Sequence, residues 1–138
     1  MAADYLRRFD HAGRPLGLGP ARLVEIDERK ARAPAEADAA LLKALPKNAA
    51  LIALDERGKT LSSPDFARLL ARWRDEGRRE AALAIGGPDG HGAALRARAD
   101  LMLSFGPMVW PHMLARVMAA EQLFRAASIL SGAPYHRA

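Results

Sequence analysis

The chain has 138 residues, of which 50% are hydrophobic and 27% charged, with a net charge of +5 and a pI of about 10.2. It has no cysteine, which excludes disulfides, thiolate metal sites and thiol catalysis, and its four histidines lack metal-ligand spacing such as H-E-x-x-H. No apolar run approaches the roughly 20 residues that a membrane helix needs, and MAADYLRRFD lacks the apolar segment of a signal peptide. A single cytoplasmic domain without metal is expected, whose basic surface attracts polyanions.

In chain order, Ala3 to Phe9 reads as the end of a helix, and His11 to Pro20 as a loop rich in glycine and proline. Arg22 to Ile26 reads as a short strand and Asp27 to Ala33 as a basic loop. Pro34 opens a helix, since its missing N–H has no partner in the first turn. Ala37, Leu41, Leu42 and Leu45 line one side of that helix, which stops at Pro46. Ala49 to Leu54 is a continuous apolar run, as in a strand covered on both faces. Ser62-Ser63-Pro64-Asp65 is a helix start, with Ser63 able to cap, Pro64 at the first position and Asp65 at the positive end. Phe66, Leu69, Leu70 and Trp73 follow with helical spacing, and Gly77 ends the helix. Glu80 to Ile85 is a strand, Ala93 to Asp100 a short helix, Leu101 to Phe105 a strand, and Pro111 to about Ser131 a long helix. The alternation predicts an α/β fold, a parallel sheet with helices on both faces.

Ligands of open parallel sheets bind beyond the carboxyl ends of the strands. Three glycine-bearing segments leave such ends here: Leu54-Asp55-Glu56-Arg57-Gly58, Ile85-Gly86-Gly87-Pro88-Asp89-Gly90 and Phe105-Gly106-Pro107-Met108-Val109-Trp110. The second has neither the Lys-Ser/Thr of a Walker motif nor the spacing of G-x-G-x-x-G.

On the last helix Arg116 lies with Ala119, Ala120, Leu123 and Ala127. It either pairs with a carboxylate or holds an anionic ligand. Glu121 and Arg125 stand in the favourable i, i+4 order. His112 falls in the first turn, and Leu114 and Met118 leave apolar surface for a second subunit. The tail Pro134-Tyr135-His136-Arg137 concentrates an aromatic ring, an imidazole and a guanidinium where chains usually fray.

Several ordered motifs are similar to those of the ribosomal RNA large subunit methyltransferase H family, small members of the knotted SPOUT methyltransferases. They are Asp4-Tyr5-Leu6-Arg7-Arg8-Phe9, Leu54-Asp55-Glu56-Arg57-Gly58-Lys59, Ser63-Pro64, Ile85 to Gly90, Pro111-His112, Leu114 with Arg116, and Pro134-Tyr135-His136. They run nearly without gaps from Asp4 to Arg137.

The resemblance implies one SPOUT-type domain over residues 1–138 with a C-terminal trefoil knot, a homodimer, and S-adenosyl-L-methionine as cofactor. It implies methylation of N3 of a pseudouridine in 23S rRNA of the assembled ribosome. Carried over by position, Leu54, Gly86 and the loop of Phe105, Gly106, Pro107, Met108, Val109 and Trp110 contact the cofactor. Tyr135, His136 and Arg137 face the RNA. Arg116, His136 and Tyr135 are the catalytic candidates, with His112 a further one. Arg116 or Arg137 would stabilise the developing anion, and His136 or His112 would accept the N3 proton. Val109 and Pro107 depart from the family pattern, which has threonine at the first position. The alternative is a catalytically impaired RNA- or ribosome-binding protein of the same fold. Family members also open with a strand that precedes the first helix, placed beside Arg22 to Ile26. The 138-residue form is therefore expected to be less stable than one carrying that strand.

Overall fold

The computed structural model describes residues 1–24, 34–86 and 90–136. Its elements are α1 (Ala2–Gly13), a 3-10 turn (Arg14–Leu16), α2 (Pro34–Ala44), β1 (Ala50–Lys59), α3 (Ser63–Asp75), β2 (Ala81–Ile85), α4 (Ala93–Arg98), β3 (Leu101–Leu103) and α5 (His112–Ser131). Two compact units share the chain. One comprises Met1–Leu23, Leu61–Gly77 and Met113–Ala138, the other Val24–Thr60 and Arg78–His112.

The second unit holds a sheet of three parallel strands in the order β2-β1-β3. The apolar run that opens β1 makes it the central strand. Side chains alternate across a strand, and here both sets are buried: Leu51 and Ala53 on one face, Ala50 and Ile52 on the other. Leu51 and Ala53 form a core cluster with Ala84 of β2 and Leu95 of α4, against which Leu41 and Leu42 of α2 and Leu45 just beyond its end pack. The helical spacing of those leucines therefore reports their buried side. Leu95 is 1% exposed, and Leu95→Ala should cost about 2–5 kcal/mol, readable by urea denaturation.

In the first unit, Phe66, Leu70 and Trp73 of α3 are buried, as are Phe9, Ala119, Ala120, Ala126 and Ala127. The α3 start is shifted by one residue from expectation. Ser62, not Ser63, is the cap: its Oγ accepts the Asp65 N–H at 3.1 Å. This frees Ser63 Oγ to donate to Gln122 Oε1 of α5 at 2.8 Å. Tyr5 of α1 lies 6.3 Å from Phe124 of α5 between ring centroids, and the Arg8 guanidinium lies over both rings. Arg74 of α3 donates to the carbonyl of Leu16 at 2.9 Å.

Further boundaries differ from the sequence-based expectation. α1 continues through His11 to Gly13, because nothing before Pro15 removes a helical N–H. Arg22 to Val24 form no strand, and residues 25 and 26 of the expected strand lie outside the described residues, as does the expected loop at 27–33. β3 ends at Leu103 rather than Phe105, since Ser104 Oγ draws the next residues into a turn by accepting the Gly106 N–H at 3.0 Å and donating to the Gly106 carbonyl at 3.1 Å.

The largest difference is in β1, which does not end at Leu54. Leu103 pairs with both Leu54 and Lys59, with an irregularity between them. Asp55 to Gly58 bulge away and return, and Ser104 N–H donates to the Lys59 carbonyl at 2.8 Å. Gly58 permits that return: a Cβ there would stand 2.5 Å from the backbone of Met102.

Candidate functional site

Parallel pairing brings the three strand ends together. Leu54 is opposite Ile85 on one side and Leu103 on the other, and paired strands lie about 4.8 Å apart. The chain leaving β2 at Gly86 and the chain leaving β3 toward Phe105 thus flank Leu54, where the regular part of the central strand gives way to its bulge. Of the loop side chains, Met108 and Val109 are 69% and 83% exposed, while Phe105 and Gly106 are half-buried. Gly106 has φ +105, and no atom lies within 4 Å of where a Cβ would stand, so this backbone is open to a ligand and closed to most other residues. Residues 87–89 of the middle loop lie outside the described residues.

Two imidazoles hold the β2 exit. His112 Nδ1 is 3.1 Å from the Gly86 carbonyl. A carbonyl only accepts, so Nδ1 carries the proton, and the Nε2 lone pair of this exposed residue is available as a base. His91, 4% exposed, directs Nε2 at the Ala84 carbonyl at 3.1 Å. A Cβ on Gly86 would stand 3.2 Å from both the His91 ring and the Gly90 backbone. A side chain at position 86 would therefore need the His91 ring or the Gly90 backbone to give by a few tenths of an ångström.

Asp55 begins the bulge beyond Leu54. Its side chain is 4% exposed and bonds Arg57 through both oxygens, at 2.9 and 2.7 Å. The Arg57 hydrogen bond dominates and holds the carboxyl well below its usual value, at about 2. A carboxyl whose pKa falls on folding adds stability above its unfolded value of 3.8 and loses that contribution as pH drops toward 2. Asp55→Asn should therefore melt lower than wild type at neutral pH, with the gap closing between pH 4 and 2 in a series of thermal melts.

The tail and α5 form a second cluster. Arg125 donates from Nε and Nη2 to Glu121 Oε1 at 2.8 and 2.7 Å, and the Tyr135 hydroxyl donates to the same oxygen at 3.2 Å. The Tyr135 ring packs 4.6 Å from Phe124 and 4.9 Å from the Arg125 guanidinium carbon. Desolvation, then the Glu121 charge, push the Tyr135 phenol upward, so it stays a donor at neutral pH. Arg125 Nη1 lies 3.2 Å from His136 Nδ1. Arginine only donates, so Nδ1 accepts, and the neutral ring carries its proton on Nε2. That Nε2 is buried without a hydrogen-bond partner among the described residues. Arg116 is half-buried on α5, and Arg137 lies outside the described residues.

A family profile described as "Predicted SPOUT methyltransferase" matches residues 1–136. The chain belongs to this family. Among curated proteins it is similar to the ribosomal RNA large subunit methyltransferase H of Ruegeria pomeroyi, at 65% identity over 97% of this chain and 86% of that one. The protein of that name from Dinoroseobacter shibae is 63% identical over the same shares. That from Roseobacter denitrificans is 61% identical over 99% of this chain and 88% of its own length. The resemblance seen in the motifs therefore holds along the chain, and the protein is a methyltransferase.

In this methyltransferase the strand register sets Leu54 between Ile85 and Leu103, from which the chain leads on to Gly86 and Phe105. Tyr135 and His136 are joined to each other through α5. Three participants carried no role in the sequence: His91, Ser104, and Arg125 as a partner of His136. Only the Glu121–Arg125 spacing hinted at the last. No helix among the described residues is long and apolar enough to cross a membrane. No group of three or more His, Asp or Glu suited to a metal occurs among them.

Proposed function

We propose that this methyltransferase uses S-adenosyl-L-methionine to methylate N3 of a pseudouridine in 23S rRNA within the assembled ribosome. It would act in the cytoplasm as a homodimer of one SPOUT-type domain, with helices on both sheet faces and a C-terminal trefoil knot. Family membership and relatives named for ribosomal RNA methylation support the reaction class. The observation that supports the site is the side-by-side placement of Leu54, Ile85 and Leu103, from which Gly86 and the Phe105–Trp110 loop lead off.

The cofactor fits these residues. An adenine ring needs an apolar slot edged by backbone polar groups. Leu54, Met108, Val109 and Trp110 supply the apolar surface, and the glycine at 106 leaves the backbone approachable. When bound, S-adenosylmethionine supplies an electrophilic methyl group on a sulfonium.

The N3 proton of a uracil-type ring is weakly acidic and must leave as the methyl arrives. Of the two candidate bases, His112 has the suitable lone pair: Nδ1–H is held by the Gly86 carbonyl and Nε2 is exposed. His136 is the poorer acceptor, because Arg125 occupies its Nδ1 lone pair and adds a neighbouring positive charge. It serves instead as a hydrogen-bond donor. Arg116 and Arg137 remain the candidates for the developing negative charge, and Tyr135, His136 and Arg137 those that meet RNA. The exposed side chains of Met113 and Leu114 support a second subunit.

The impaired-binder alternative rests on Val109 in place of threonine. Ser104 already supplies this turn with a hydroxyl that bonds both polar groups of Gly106, and Val109 is turned to solvent. Calorimetric titration with S-adenosylmethionine separates the two readings. Saturable binding at one site per chain is expected, and a folded protein that takes up no cofactor would overturn the methyltransferase reading. His112→Ala should bind the cofactor while lowering kcat about 10²–10⁴-fold. Unchanged turnover in that variant would remove His112 as the base.

A further inference from the structure

Asp38 is a buried carboxylate on α2, an element with no part in the site described above. It is 1% exposed. Its two oxygens diverge: Oδ1 accepts the Gly92 N–H and Oδ2 the Leu95 N–H, each at 2.9 Å. Gly92 is the residue before α4 and has no side chain with which to cap it. Asp38 therefore caps α4 from 54 positions away. The fit is close, since a Cβ on Gly92 would stand 2.6 Å from Asp38 Oδ2.

A serine or aspartate at position 92 would cap the helix locally with no buried charge. Burying a carboxylate is costly unless its oxygens are hydrogen-bonded. The arrangement thus does something that a local cap would not: it fastens the end of the β2 exit loop to α2. From Gly92 the contacts run directly back to the cofactor crevice. His91, the next residue, is buried with its ring on the Ala84 carbonyl. That ring fills the space beside Gly86, within 3.2 Å of where a Cβ would stand.

We propose that Asp38 is a positioning residue for the cofactor crevice. By holding Gly92 it fixes the His91 ring under Gly86, and so sets the height of the β2 exit against the Leu54 strand end. The inference rests on the proposed placement of the cofactor there. It requires two acceptors at position 38. Asparagine offers one oxygen and would turn an NH₂ toward the other N–H, whereas glutamate keeps both acceptors on a longer stem.

The test uses the full chain. Wild type, Asp38→Asn and Asp38→Glu are titrated with S-adenosylhomocysteine by calorimetry. Amide exchange at Gly86, His91 and Gly92 is followed by NMR in the ligand-free proteins. Asp38→Asn is expected to bind about tenfold more weakly, equivalent to about 1.4 kcal/mol, and to exchange faster at Gly86 and His91 without ligand. Asp38→Glu should recover part of both. A folded Asp38→Asn protein with wild-type affinity and wild-type exchange at Gly86 would overturn the proposal. Should that variant fail to fold, Gly92→Ala presses on the same carboxylate from the other side. It is judged by the same two readouts, and wild-type values again overturn the role. If wild type itself takes up no S-adenosylhomocysteine, the cofactor placement fails. The exchange data then decide separately whether Asp38 orders the β2 exit.

Discussion

Removal of Tyr135 to Ala138 is expected to lower methyl transfer at least about 100-fold, the scale of loss when reacting groups are misplaced, with cofactor affinity nearly unchanged. Tyr135 and His136 contact Glu121, Phe124 and Arg125 of α5, and the Tyr135 hydroxyl also meets Tyr5 of α1. None of these is a strand-end residue of the proposed cofactor crevice. A tail that served only as a hydrophobic plug would lose stability on removal and keep its turnover per folded molecule. Two point variants sharpen the distinction. Tyr135→Phe keeps the ring contact with Phe124 and loses the hydroxyl bonds to Glu121 and Tyr5, so it should retain most activity. Arg125→Ala releases the His136 ring, vacates its Nδ1 lone pair and should lower kcat more than KM. Full turnover in the shortened protein, measured with saturating cofactor, would reduce the tail to packing.

Gly58→Ala is expected to be the most damaging single-methyl change in the sheet unit. The added carbon would meet the Met102 carbonyl carbon and oxygen at 2.5 Å and the Leu103 nitrogen at 2.8 Å. These are backbone atoms of β3, which cannot rotate aside as a side chain would. Overpacking costs about 1–3 kcal/mol, and occasionally more, and relief requires either β3 or the returning end of β1 to shift. A shift of β3 carries Ser104 and the turn at Gly106 with it, so cofactor binding should fall together with the melting temperature. Gly90 has a positive φ and open space around it, so Gly90→Ala strains only its own backbone. It serves as a comparison that leaves the β1–β3 pairing alone. Equal melting temperatures and equal affinities in wild type and Gly58→Ala would mean that the bulge is loose.

The parts of this fold written in local chemistry were legible in the sequence. The unbroken apolar run at Ala49 to Leu54 marked the central strand, and the leucine spacing from Leu41 to Leu45 marked the face that α2 buries. The Ser-Ser-Pro-Asp start of α3 was visible, although which serine caps depended on Gln122 taking the hydroxyl of the other. Of the strand ends, that of β2 at Ile85 was legible, whereas β1 runs past Leu54 to Lys59 and β3 stops at Leu103. Long-range contacts were not legible. The return of β1 at Gly58 to pair with Leu103 depends on a β3 backbone more than 40 positions away. Asp38 carried no signal in the sequence, because its partners are the backbone N–H groups of Gly92 and Leu95. The histidines showed the reverse: their presence was plain, but only their partners assign the proton. The Gly86 carbonyl puts it on Nδ1 of His112, and Arg125 puts it on Nε2 of His136.

The most direct measurement is transfer of isotopically labelled methyl from S-adenosylmethionine to intact ribosomes that lack the modification. Free rRNA and buffer run in parallel, and the labelled RNA is digested to nucleosides for mass spectrometry. One labelled product is expected, an N3-methylated pseudouridine from 23S rRNA, formed with intact ribosomes and not in buffer. A protein that binds the cofactor but leaves ribosomes unlabelled, or labels a different nucleoside, would contradict the proposed reaction.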